Sequence, residues 1–175
     1  MRLGIIKRIT DSWASTLATA DLQLVDSYLD DPGKFLFFQM DLIDQMHAVS
    51  VARTVMTEAQ PTDENYELLV KAALLHDIGK IQGDFNLATR IFVGVIRRAF
   101  PLIRDKLAKP QPQTFWDRIR YSCYVDLVHP GRGAQMAKVL GIESFVVELI
   151  RRHHDPTQAN QSLYLTCLQN ADNRN

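Results

Sequence analysis

Cysteine, charge imbalance and long apolar runs are scarce in this chain, and each shortage closes off a class of protein. The only cysteines, Cys123 and Cys167, stand far apart in apolar, helix-like surroundings. They read as reduced, buried thiols in a reducing compartment, with neither a disulfide nor a zinc pair. Lysine plus arginine equal aspartate plus glutamate at 20 each, which leaves no whole-molecule field to attract nucleic acid or an anionic membrane. An anionic substrate therefore has to be drawn in locally. The opening MRLGIIKRITDSW is broken by Lys7 and Arg8 and runs into Thr10 and Asp11, so it lacks the continuous apolar stretch of a signal peptide. No segment is apolar enough to span a bilayer, and a cytoplasmic location is expected. Repeats, low-complexity tracts and an obvious linker are also missing. With 175 residues, 46% of them hydrophobic, one globular domain is the expectation.

What is present is helical spacing, with no sustained period-two alternation, so the fold class is all-α with roughly seven or eight helices. Thr19 caps a short helix over ADLQLVDSYL that stops at a turn formed by Asp30, Asp31, Pro32 and Gly33, making residues 1–33 an N-terminal helical extension. A long helix over 34–58 follows, with Phe35, Phe38, Leu42, Met46, Val49 and Val55 near one apolar stripe. NYELLVKAALLH is apolar nearly all round, as a central helix is, and delivers His76 and Asp77 before Gly79 ends it. Residues 86–107 are helical with a break at Pro101, and 109–114 form a loop. Further helices span 115–127, 133–140 with Gly141 as its stop, 144–153 and 162–171.

The chemistry lies in five histidines, His47, His76, His129, His153 and His154. Any one of them alone is more often a satisfied core or surface imidazole than a ligand. His76, however, is followed directly by Asp77 at a helix end, where imidazole and carboxylate can share a cleft and bind a hard or borderline metal. Asp172 also sits near the end of an apolar helix, where a carboxylate facing the core needs a partner.

The run LLHDIGK, with QMHAVSVA around His47, HPGRGAQMAKVLG at His129, LIRRHHD at His153 and His154, and LQNADN at Asp172, resembles the HD-domain phosphohydrolase superfamily in its HDIG form. The likeness extends from about Met40 to Asn173. It implies a first metal held by His47, His76, Asp77 and Asp172 and a second held by Asp77, His129, His153 and His154, with Asp77 bridging. Adjacent histidines point about 100° apart on an ideal helix, so His153 and His154 both bind only if the helix ends there, as Pro156 suggests. If one binds, His153 is favoured, because it continues the face of Val146 and Ile150. One or two ions of Mn, Fe, Co or Zn suit such nitrogen and oxygen ligands. Two ions would leave about two surplus positive charges, which suits a phosphate and a metal-bound hydroxide as nucleophile. The implied function is hydrolysis of a phosphomonoester or phosphodiester of a nucleotide or similar small phosphorylated substrate. Asp77 and Lys80 are the catalytic candidates, and Lys80 and Arg132 the clamps on phosphoryl oxygens.

The chain lacks the GYP-bearing continuation and upstream glutamate of the cyclic di-GMP phosphodiesterase branch. It has DPTQANQS after His154, and Ile43 stands one turn before His47. Asp44 is read as a surface aspartate of its helix, or else as an orienter of His47. An HD scaffold serving as a ligand sensor without strong catalysis, and a di-iron oxygenase of the inositol-oxygenase type, are the competing readings. Residues 84–113 fall outside the motif and are assigned to a substrate lid or wall. Within them, RIFVGVIRRAFPLIRDKLAK is read as a core-packing helix with solvated arginines in preference to an interfacial amphipathic helix.

Overall fold

The computed structural model describes residues 17–60, 62–111, 114–158 and 161–175. Among them are nine helices and no strand: α1 Thr19–Tyr28, α2 Asp31–Phe37, α3 Leu42–Glu58, α4 Tyr66–Leu75, α5 Leu87–Ala99, α6 Pro101–Leu107, α7 Phe115–Val139, α8 Ser144–Arg152 and α9 Leu163–Arg174. The all-α reading stands, while the MRLGIIKRITDSW stretch lies outside the described residues.

Helix α4 is the hub, packed against α1, α2, α3, α8 and α9. Every residue from Leu69 to Leu75 is buried, including Lys71, whose ammonium is neutralised by Asp30 at 3.2 Å and Glu143 at 2.9 Å. The apolar-all-round pattern of this segment is thus the pattern of a helix with no solvent face.

Three expectations about boundaries need correction. Thr19 is the first helical residue of α1 and does not cap it; instead the Asp21 carboxylate accepts the Ala18 N–H at 3.2 Å, a favourable place for an anion. The Asp30 to Gly33 run starts a helix where a turn was expected: Asp30 accepts the Gly33 N–H at 3.0 Å, and Pro32 sits in the first turn, where no donor is wasted. The single helix over 34–58 is in fact α2 and α3, with Phe35 and Phe38 exposed. Remote side chains and backbone stabilise the break. The Gln39 carbonyl accepts the Gln82 N–H at 2.9 Å, and the Met40 carbonyl accepts the Gln45 amide at 2.8 Å.

The segments 115–127 and 133–140 are one helix, α7, which continues through Pro130. A proline inside a helix leaves the carbonyl four residues back without its donor, here that of Asp126. The His129 ring takes it, with Nδ1 at 2.9 Å from that oxygen. Gly141, at φ 76°, closes α7 in the left-handed conformation expected of it. Both cysteines are free, with Cys123 buried and Cys167 only half-buried.

Candidate metal centre

Three buried histidines share one local device. The Nδ1 atoms of His76, His129 and His153 lie 2.9, 2.9 and 2.7 Å from the carbonyl oxygens of Ala73, Asp126 and Ile150, each three residues earlier. His76 and His153 are the C-cap residues of α4 and α8, where the last carbonyls have no helical donor, and at His129 the proline frees one in mid-helix. An Nδ1–H bound to a carbonyl leaves Nε2 as a lone-pair donor, the form in which imidazole ligates a metal.

All of these Nε2 atoms turn to one place. His47 Nε2 is 2.9 Å from Asp172 Oδ1, and His76 Nε2 is 3.7 Å from the same oxygen and 3.6 Å from Asp77 Oδ2. His129 and His153 approach Asp77 Oδ1 at 3.2 and 3.8 Å and each other at 3.3 Å. His154 Nε2 is 3.7 Å from Asp172 Oδ2. Because α8 ends at Arg152, both His153 and His154 reach the cluster. Three overlapping donor sets result: His47, His76 and Asp172; His76, Asp77 and His153; and His129, His153 and His154, each with donor atoms within 4.8 Å of one another.

The donor set fits a divalent cation. His76 Nε2 and Asp77 Oδ1 are buried without a hydrogen-bond partner, an arrangement that is costly unless something else satisfies them. Imidazole nitrogens and carboxylate oxygens are donors that divalent first-row metals accept. The electrostatics agree. Burial disfavours charge on His76, yet the Asp77 and Asp172 carboxylates outweigh it and raise the imidazole to about 9. Burial and the Lys80 ammonium push His129 down to about 4, and burial with the neighbouring rings lowers His153. Burial alone would raise Asp77, but Lys80, His76 and His129 hold it well below the ordinary carboxylate range. Asp172 is held down in the same way by His154, His47 and His76.

Gly79 has a different purpose from the helix stop expected of it, since its φ is not positive. A Cβ there would meet the His129 carbonyl oxygen at 2.0 Å and the Gly133 nitrogen at 2.9 Å. The backbones of the HDIG turn and of α7 touch at this point, and this contact sets Asp77 beside His129.

Above the cluster lies a cavity of about 390 Å³, lined by Asp77, Lys80, His154 and Asp172 and, on the facing side, by Arg90, Val93, Gly94, Arg97 and Arg98 of α5. Lys80 Nζ is 2.7 Å from Asp77 Oδ2 and lines this cavity. Arg132 is not brought to the cavity; its guanidinium pairs with Asp84, which also accepts the Tyr121 hydroxyl at 2.9 Å. Asp44 is neither exposed nor bound to His47. It is buried and, with Asp41, holds the Arg90 guanidinium.

The lid-or-wall reading of residues 84–113 did not say which arginines line the cavity. Arg90 and Arg97 are seven residues apart on α5 and so share a face, a signal that was readable. Their partners, Asp44 and Asp126, are too distant in sequence to have been assigned. The expectation of solvated arginines over a packed apolar face is overturned here: Arg90 and Arg104 turn inward to carboxylates, while Phe92 and Val95 face solvent.

The family model described as HD domain matches residues 45–174, about three quarters of the chain. No curated protein and no solved structure gives a significant match.

Proposed function

The chain belongs to the HD-domain family, and from that premise we propose that it is a metal-dependent phosphohydrolase, cleaving a phosphomonoester or phosphodiester of a nucleotide or similar small phosphorylated molecule. The observation that carries this reading is the placing of a nitrogen and oxygen donor cluster on the floor of a cavity whose opposite wall is cationic. Phosphate esters need both, a Lewis acid at the reacting phosphorus and fixed positive charge for the remaining oxygens.

His47, His76, Asp77, His129, His153, His154 and Asp172 would hold one or two divalent ions, which when bound acidify water and offset phosphoryl charge. Asp77 stands between the rings of His76, His129 and His153 and so can serve both ends of the cluster. Lys80 keeps Asp77 ionised and directed, and its remaining N–H groups point a charge at a phosphoryl oxygen lodged in the same cavity. Arg97 and Arg98 are set to take the distal part of the substrate, so α5 acts as its outer wall. Arg132, tied to Asp84, is left out of this role.

The test is a panel of nucleotides, dinucleoside polyphosphates, cyclic dinucleotides and an aryl phosphate, screened with Mn, Fe, Co and Zn. Turnover of at least one ester, and its loss in Asp77→Ala, is expected. Equal activity in both proteins would remove the site from consideration, and tight ligand binding without turnover would favour a sensing module.

A further inference from the structure

Four cations line the cavity over the donor cluster, Lys80, Arg90, Arg97 and Arg98, and three of them are engaged. The Lys80 ammonium is 2.7 Å from Asp77, and the Arg90 guanidinium is held by Asp41 and Asp44. Arg97 lies 3.7 Å from Asp126, an anion it shares with Arg104. Arg98 is different. It is half-buried, lines the same cavity, and has no carboxylate or hydrogen-bond partner among the described residues. A guanidinium drawn partly out of water without an anion gives up hydration for nothing, a cost that a charged ligand removes.

The engaged neighbours fix where Arg98 stands. Arg90 ties α5 to α3 and Arg97 ties it to α7, so the helix is pinned at two points roughly 10 Å apart along its axis. Gly94 lies one turn before Arg98 on the same flank, and a Cβ there would meet nothing within 4 Å. The missing side chain leaves room beside Arg98 for the body of a ligand, and Ile43 and Met46 of α3 give that space apolar walls. Lys80 stands at the cluster itself, beside Asp77, so a phosphoryl group reacting there already has a cation of its own. At about 390 Å³ the cavity is at the small end of the roughly 300–1,000 Å³ usual for small-molecule sites, which favours a compact ligand.

We infer that the ligand of this cavity is a compact phosphate ester bearing a second anionic group, a carboxylate or a further phosphate, on an apolar body, and that Arg98 is the residue that selects it. The inference rests on the phosphate-ester reading of the cavity. It adds a demand for two separated charges, one at the donor cluster and one at Arg98, whose planar fork suits either kind of anion.

Benzylphosphonate, 4-carboxybenzylphosphonate and para-xylylenebisphosphonate share one ring, differ in the second anion, and resist hydrolysis because a carbon–phosphorus bond replaces the ester. Isothermal titration of the Mn-loaded full chain should show at least about tenfold tighter binding of one or both disubstituted compounds than of benzylphosphonate. Which of the two gains tells carboxylate from phosphate recognition. Arg98→Gln should bring the affinity ratio close to one with metal content unchanged, and Arg98→Lys, which keeps the charge without the fork, should restore part of it. A parent chain that binds none of the three, or all three equally, overturns the inference. So does an Arg98→Gln protein that loses benzylphosphonate as strongly as the others, because Arg98 would then be a clamp on the reacting phosphoryl group. Failure of the hydrolase reading looks different: the binding preference stands while no ester is turned over, and the cavity is that of a sensor.

Discussion

The His129 ring occupies the hydrogen-bonding position that Pro130 leaves open, with its Nδ1 2.9 Å from the Asp126 carbonyl oxygen. One residue thus creates an orphan acceptor and its neighbour is oriented by it. Pro130→Ala restores an N–H able to bond that carbonyl in competition with the ring. Helix propensity then rises, so the melting temperature should hold or increase. The imidazole loses its fixed tautomer, and metal affinity is expected to fall roughly tenfold or more. Thermal denaturation together with metal titration checks this, and unchanged affinity would show that the proline has no part in ordering the ligand.

Gly79 gives a second, sharper expectation. A methyl group cannot coexist with the His129 carbonyl oxygen 2.0 Å away, and that oxygen belongs to a backbone that cannot rotate aside. Gly79→Ala should force α4 and α7 apart at Asp77, with a stability loss of at least about 3 kcal/mol and loss of metal stoichiometry. Gly131→Ala, where a Cβ meets nothing within 4 Å, serves as the matched control in urea denaturation and metal analysis.

These two cases show how far the chain could be read unaided. The candidate cluster was legible because His76 with Asp77, and Asp172, stand at the ends of apolar helices, where charge needs a partner, and because the runs around His47, His129, His153 and His154 resemble a known motif order. What escaped were features decided between remote segments. The α2–α3 break rests on Gln82 meeting the Gln39 carbonyl, and no breaker residue announces it. Periodicity marked α5 as two-faced without revealing that the arginine face is the inner one, because only Asp41, Asp44 and Asp126 make that face habitable. The proline at 130 looked like a stop because its compensation lies in a side chain.

Opposed shifts in the cluster give the protein stripped of metal a stability maximum near neutrality. His129 and His153 are lowered, His129 to about 4, so the unfolded chain binds protons there first and stability falls as the pH drops from about 6.5. His76 is raised to about 9, so its contribution is complete below about 6.5 and disappears as pH rises through 9. The alkaline loss is on the order of 3 kcal/mol, the free-energy equivalent of raising the imidazole from 6.5 to about 9. Chemical denaturation of chelator-treated protein between pH 4 and 10 reads both limbs. Repeating it with saturating Mn should flatten the alkaline limb, because the ion replaces the His76 proton. A flat profile in the stripped protein would contradict the assigned charges.

The bracket around Arg90 carries the last expectation. Its guanidinium is held by Asp44 on one nitrogen and by Asp41 at 3.0 Å on another, and it anchors α5 to the start of the helix that bears His47. Asp44→Ala leaves the cation half-paired in a largely buried position, at a cost of about 3 kcal/mol. A wall whose anchor is loosened should bind substrate less well while the donor cluster beneath it stays assembled. Under the phosphohydrolase reading, KM should therefore rise several-fold, with metal stoichiometry unchanged and kcat little affected. Asp44→Asn, which keeps one acceptor for Arg90, should recover part of the loss. If the alanine variant instead lost its metal, Asp44 would belong to the support of His47 and not to the anchoring of α5.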